Sequence, residues 1–189
     1  MSDSQTPEFE TDNGFLELIQ PRDEKYIEEL EEDIFDHGCH DAVCVWGNIL
    51  IDGHLRYSIC KKWDIRFNIR RLIFQSRDEA ESYLCAEQLK RTDLTSEYKK
   101  YLIGRLFRAD MNAASAAFLR EHPEKQTNAD GQISQKYVQK TEIATIIGKE
   151  YNFGFSTVTK YDVYARALDE IRAKGPEITN KILNGNLRV

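Results

Sequence analysis

The chain has 189 residues, 41% of them hydrophobic and 31% charged, and a formal net charge of −6. That length and apolar fraction suffice for one large or two small packed domains. No apolar run approaches the ~18–20 residues of a membrane span and no secretory leader opens the chain, so membrane and secreted classes are set aside for a cytoplasmic protein.

Charge is distributed unevenly. Residues 1–36 hold 13 acidic and 2 basic side chains, which leaves 24 basic and 19 acidic for residues 37–189. An acidic front before a basic body is compatible with a polyanionic partner. Cys39, Cys44, Cys60 and Cys85 show no Cys-x-x-Cys spacing and lie in apolar surroundings, as suits a reducing compartment.

Residues 1–14 are polar, acidic and without periodicity, and are expected to form a disordered lead-in. Phe15–Ile19 then reads as a strand and Glu24–His37 as a helix ended by Gly38. His37, Cys39, His40 and Cys44 cluster in sequence, but a loop leading into a core strand accounts for them better than zinc does. Ala42–Trp46 and Ile49–Ile51 read as strands joined by a tight turn at Gly47-Asn48. Gly53–Trp63 reads as a helix, Phe67–Phe74 as a strand and Arg77–Lys90 as a helix opened by the Ser76/Glu79 capping box.

Thr95 is the expected N-cap of a helix carrying Tyr98, Tyr101, Leu102, Leu106 and Phe107, with Ala113–Leu119 as a further short helical piece. Pro123, Gly131 and the polar residues between them read as an exposed linker over 121–132. Residues 133–189 look helical throughout. There Ile147, Tyr151, Phe153, Val158 and Tyr161 have the spacing of two helices packed across a short turn, with Gly148 permitting close approach and Asn152-Phe153-Gly154 making the turn. A generic helical hairpin whose apolar spacing serves only its own core fits this pattern too; in a helix-turn-helix the second helix enters the major groove. Phe155, Ser156, Thr159 and Lys160 then stand near its N-terminal end as the DNA-binding candidates, the short polar groups for base edges or phosphates and Phe155 for a thymine methyl.

The stretch Ile49-Leu-Ile-Asp-Gly-His-Leu-Arg56 takes a buried strand directly into a helix. A helix N-terminus with a flanking arginine suits an anion, because free N–H groups and the helix dipole both favour a phosphate. This turn resembles the signature turn of the ParB/sulfiredoxin superfamily, where Gly-Glu-Arg-Arg or Gly-Cys-His-Arg starts a phosphate-holding helix. Upstream, Ile19-Gln20-Pro21-Arg22 before a helix ending at Gly38 is similar to the opening of ParB N-terminal domains. Downstream, Glu87-Gln88-Leu89-Lys90-Arg91-Thr92-Asp93-Leu94-Thr95 resembles the family's Glu-Asn-Leu-Gln-Arg-Glu-Asp-Leu motif.

The resemblance implies an α+β chain in which a small mixed-sheet, ParB/sulfiredoxin-like nucleotide-binding domain over 15–94 is followed by a helical connector and linker over 95–132. An all-α helix-turn-helix domain over 133–189 completes it. It further implies CTP with Mg²⁺ as the ligand. Gly53, His54, Arg56 and Arg91 would be the nucleotide-binding residues, Glu87 the metal ligand, and Glu87 with Gln88 the catalytic pair of what is at most a slow NTPase. The partners implied are double-stranded DNA and a second copy in a homodimer, and the role is plasmid or mobile-element partition, replication or regulation.

The match has departures. His54 and Leu55 replace the motif's Glu and first Arg, and Gln88 is one methylene longer than the motif's Asn. His54 also stands where sulfiredoxin has its reactive Cys, which argues against sulfinate chemistry. No third domain of the size ParB proteins use for dimerisation follows, as expected of a shorter relative or of a fragment. Two other readings share the pocket: a small-molecule kinase or nucleotidase, and a nucleotide-free DNA-binding adaptor, the latter suggested by Leu55.

Overall fold

A computed structural model describes residues 7–122 and 140–187. The fold is α+β, and it divides into two compact units between Gln75 and Ser76. The sequence reading drew its domain boundary after residue 94 instead.

In the first unit, β1 (Glu10–Thr11), β2 (Val43–Trp46), β3 (Ile49–Asp52) and β4 (Ile69–Leu72) form one sheet in the order β1-β3-β2-β4. The β2–β3 pair is antiparallel, while β1–β3 and β2–β4 are parallel. The hairpin turn at Gly47 has φ 59°, a left-handed conformation that glycine adopts without a Cβ clash. Val43, Val45, Leu50 and Tyr57 are buried together, with Phe9, Phe67 and Ile69 packed against them. Helix α2 (Glu24–His37) starts at Asp23, whose carboxylate accepts from Tyr26 N–H at 2.8 Å, and stops at Gly38 with φ 83°. Its Ile34 packs with Cys39, Ile59 and Cys60. Ile59 and Cys60 belong to helix α3 (His54–Trp63).

Two expectations for this unit are corrected. Phe15–Ile19 is not a strand: Asn13–Leu16 forms a short helix, α1, capped by the Asp12 carboxylate, and turns continue through Ile19. Phe15 and Leu18 are both fully buried, and that three-residue spacing is a helical turn rather than a pleat. The strand of this region is β1, inside the stretch expected to be a disordered lead-in. Its Glu10 N–H donates to Asn48 O at 2.8 Å. Residues 1–6 of that lead-in lie outside the described residues. Among the described residues no three His, Cys, Asp or Glu side chains are grouped to hold a metal. Cys39 instead donates its thiol to Asp41 O.

The second unit is helical: α4 (Arg77–Leu89), α5 (Ser96–Glu121), α6 (Lys140–Tyr151), α7 (Phe155–Lys174) and α8 (Pro176–Leu183). Ser76 and Thr95 cap α4 and α5 through hydroxyls that accept from Glu79 and Tyr98 N–H. The separate piece expected at Ala113–Leu119 is the continuation of α5, one 26-residue helix. Alanine is the strongest helix former, so the run around Ala113–Ala117 extends the helix instead of restarting it. The linker expected at 121–132 falls, from residue 123, outside the described residues, as do 133–139 of the last domain.

α5 lies between α4 and α7, and α7 also packs on α6 and α8. Gly104 lets α5 approach α7 so closely that a Cβ there would stand 2.1 Å from Tyr161 O. Beside that seam runs an ionic network. Asp169 accepts from Tyr101 Oη at 2.8 Å, Arg105 Nη1 at 3.1 Å and Arg108 Nη1 at 2.7 Å. Arg105 Nε also reaches Glu81 on α4, and Arg108 Nε reaches Asp162. Tyr101 is fully buried, which pushes its phenol pKa up, and its oxygen also accepts from Arg105 and Arg172. No described helix is long and apolar enough to cross a membrane.

Candidate functional site

The strand-to-helix turn of the first unit is built by Gly53, with φ 89° and ψ 25°. A side chain would be strained in that left-handed conformation. No side chain caps α3, so its first-turn N–H groups lack the partner that Ser, Thr, Asp or Asn supplies at other starts. Arg56 folds back over the turn, and a Cβ on Gly53 would lie 3.1 Å from Arg56 Nη2. Glycine therefore provides both the backbone conformation and the space for the guanidinium. That guanidinium is tethered at Nη2 by Ala42 O and Asp52 Oδ2, each at 3.3 Å.

Among the described residues, three buried polar atoms in this turn have no hydrogen-bond partner: Nδ1 and Nε2 of His54 and Nε of Arg56. Buried groups of this kind are nearly always satisfied, and with a neutral imidazole the three amount to two donors and one acceptor open to a ligand. Burial pushes the His54 pKa down, and the Asp52 carboxylate only partly opposes it. The donor set of Arg56 Nε, the uncapped N–H groups and an imidazole N–H fits an anion. Leu55 adds an aliphatic side chain to the turn and no charge.

Glu87, Gln88 and Arg91 belong to the second unit, at the end of α4 and just beyond it. Glu87 Oε1 accepts from Lys90 Nζ at 2.6 Å. Gln88 is buried, and its carbonyl accepts from Arg91 Nη1 at 2.9 Å. Arg91 donates Nε and Nη2 to the two oxygens of Asp93, at 3.1 and 2.8 Å. This fork has the geometry an arginine would offer a phosphate, so a phosphate at Arg91 competes with Asp93. Sequence reasoning overlooked Asp93 as a partner, although an Arg-x-Asp spacing just past a helix end was there to read. The structure thus groups Gly53, His54 and Arg56 in one unit and Glu87, Gln88 and Arg91 in the other.

The DNA-binding candidates occupy the first turns of α7. The α6–α7 turn is tight: Asn152 has φ 61°, Phe153 N–H donates to Gly148 O at 2.7 Å, and a Cβ on Gly148 would meet Phe153 O at 2.4 Å. Ile147 and Val158 are buried across this turn. Phe155, Ser156 and Lys160 are exposed, while Thr159 is half-buried with its hydroxyl donating to Ser156 O. Val163, 67% exposed, continues the same helix surface and was not among the candidates. An exposed apolar residue two turns into α7 carries no period that distinguishes it from core in the sequence.

No family model and no curated protein matches the chain. Solved structures do. A Pnob8-like ParB-N domain superposes with a TM-score of 0.58 at 18% identity, over 89% of this chain and 71% of that one. A second structure of a pNOB8-like ParB N-domain gives 0.55 at 20% identity, over 82% of this chain and 60% of that one. At these identities the likeness establishes the fold.

Proposed function

From the ParB N-domain fold we propose that this chain is a ParB-like DNA-binding protein, acting in plasmid or mobile-element partition, replication or regulation, and gated by CTP. The fold likeness, which extends over most of the chain, carries the DNA-binding part. The unpartnered nitrogens of His54 and Arg56 support the gating part.

In this reading the Gly53 backbone and the uncapped start of α3 receive phosphate oxygens, while Arg56 neutralises their charge. His54 adds a ring N–H to the same anion. Glu87 would hold Mg²⁺, which would supply positive charge against a triphosphate, in exchange for its Lys90 contact. Gln88 and Arg91 make polar contacts, Arg91 by exchanging Asp93 for a phosphate. The α6–turn–α7 pair acts as the helix-turn-helix, and a homodimer supplies two half-sites.

Titration calorimetry of the four ribonucleoside triphosphates with Mg²⁺ tests the nucleotide. CTP is expected to bind selectively, and Arg56→Ala and Glu87→Ala to lose that binding while remaining folded. A folded protein that binds no triphosphate removes the gating and leaves the DNA-binding adaptor. Arg91, already forked to Asp93, is the observation favouring that second reading.

Duplex binding is expected to be strongest at low salt and to fall steeply as salt rises. Lys160→Ala should weaken it on every sequence and flatten the log–log salt slope by about 1, the signature of a lost phosphate contact. Absence of duplex binding at low salt would end the DNA-binding reading altogether.

A further inference from the structure

Helix α2 carries seven carboxylates against a single lysine, and an exposed phenylalanine, Phe35, stands among them. Phe35 is 61% exposed and Trp63, at the end of α3, is 46% exposed. The two rings meet edge to face, 5.4 Å between centroids. With Glu28, Glu31 and Glu32 they line a surface pocket of about 320 Å³. That volume falls within the range of sites that take a side chain or small ligand.

The pocket wall already handles a cation. Lys62 Nζ stands 4.9 Å from the centre of the Trp63 ring and 2.5 Å from Glu31 Oε1. The Trp63 indole N–H donates to the same oxygen. The Lys62 hydrogen bond first, and the Trp63 one second, hold the Glu31 carboxyl below the usual carboxylate range. Glu28 and Glu32 differ: both are exposed, one helical turn apart, with no ion pair among the described residues. Like charges at that spacing work against a helix by a few tenths of a kcal/mol, a cost that an incoming cation reverses.

We propose that this pocket docks a cationic segment of a partner protein, with an arginine or lysine side chain laid against Phe35 and Trp63 and its charge between Glu28 and Glu32. Charge complementarity selects this occupant. Nucleic acid and anionic lipid are repelled by the same carboxylates that attract it. A neutral apolar peptide would desolvate those carboxylates and leave them unpaired. Arginine satisfies both walls at once, because its plane stacks on aromatic rings while its N–H groups pair with carboxylates. The inference is independent of nucleotide and DNA binding.

The test is fluorescence anisotropy of a labelled peptide of alternating arginine and leucine with the full chain, beside a glutamate–leucine peptide of equal length. The arginine peptide is expected to bind and the glutamate peptide not to. Phe35→Ala and the double variant Glu28→Gln/Glu32→Gln should each weaken binding roughly tenfold, while Glu24→Gln/Glu29→Gln, the same charge change off the pocket, stays within about twofold. All these side chains are exposed, so the variants keep the fold. Equal weakening by both double variants would mean diffuse attraction to an acidic helix and would overturn the proposal. No binding of the arginine peptide, or binding indifferent to Phe35→Ala, would do the same. Sedimentation supplies the last outcome: self-association abolished by Phe35→Ala would assign the pocket to a second copy instead.

Discussion

Gly104→Ala is expected to destabilise the second unit by about 3 kcal/mol, seen as a lower urea midpoint in a helix-sensitive circular dichroism melt. The added methyl would lie 2.1 Å from Tyr161 O, 2.5 Å from Tyr161 C and 2.9 Å from the Ala165 Cβ. Two of those three atoms are backbone of α7, so no rotamer change relieves the contact. The helices must separate, and Leu102, Ile103, Ala165 and Leu168, all nearly inaccessible, would lose packing. Alanine's better helix propensity offers about 1 kcal/mol in return, too little to offset an overpacked seam. Gly175→Ala is the control: nothing lies within 4 Å of its Cβ position, and its φ of −175° is one any residue adopts. That variant should stay within about 1 kcal/mol of the parent. A Gly104→Ala protein as stable as the parent would show that α5 and α7 are not in the close contact described.

Asp169→Ala carries the second large effect, again about 3 kcal/mol. Removing the carboxylate leaves Arg105, Arg108 and the buried Tyr101 hydroxyl without their common acceptor. The side chains of Arg105 and Arg108 are only 13% and 18% exposed, so water replaces the lost partner poorly. The cost arises less from the lost attraction than from the Nη1 donors of both arginines and the Tyr101 hydroxyl left unsatisfied in a low-dielectric seam, each arginine keeping one carboxylate, Glu81 or Asp162. Asp169→Asn keeps one carbonyl acceptor and should lose clearly less than the alanine variant. Urea titrations of both variants measure the difference, and equal losses would mean that shape rather than charge matters at this position. Because Arg108 also grips Asp162 on α7, the network fixes the helix bearing Phe155, Ser156 and Lys160 on α5. On the proposed DNA-binding reading, duplex binding by Asp169→Ala should accordingly fall with temperature earlier than in the parent, following the unfolding curve.

Parts of the candidate site were legible because their signals are local. The break at Asp52-Gly53, followed by helical spacing, marks a strand ending in a left-handed glycine, and the structure places φ 89° there. The end of α2 at Gly38 and the starts of α4 and α5 at Ser76 and Thr95 were read correctly. Each depends on one capping residue and its immediate neighbours. The turn between α6 and α7 was legible for the same reason, since Gly148 meets Phe153 across the left-handed Asn152, within a few residues. The strand expected at Phe15–Ile19 failed because a short apolar run suits a pleat and a tight turn alike, and only burial of both Phe15 and Leu18 separates them.

The sequence by itself determined most helix ends, the glycine turn and the uneven charge, because capping, periodicity and composition act over a few neighbouring residues, and its motif resemblance implied the α+β class. Tertiary structure alone decided that Arg91 is forked to Asp93, that both His54 ring nitrogens and Arg56 Nε are buried without partners among the described residues, and that Phe35 and Trp63 meet on an acidic surface. It alone assembled the Asp169 network, whose partners stand 61 to 68 positions apart in the chain. Desolvation and long-range pairing depend on which groups folding brings together, and no local period encodes them.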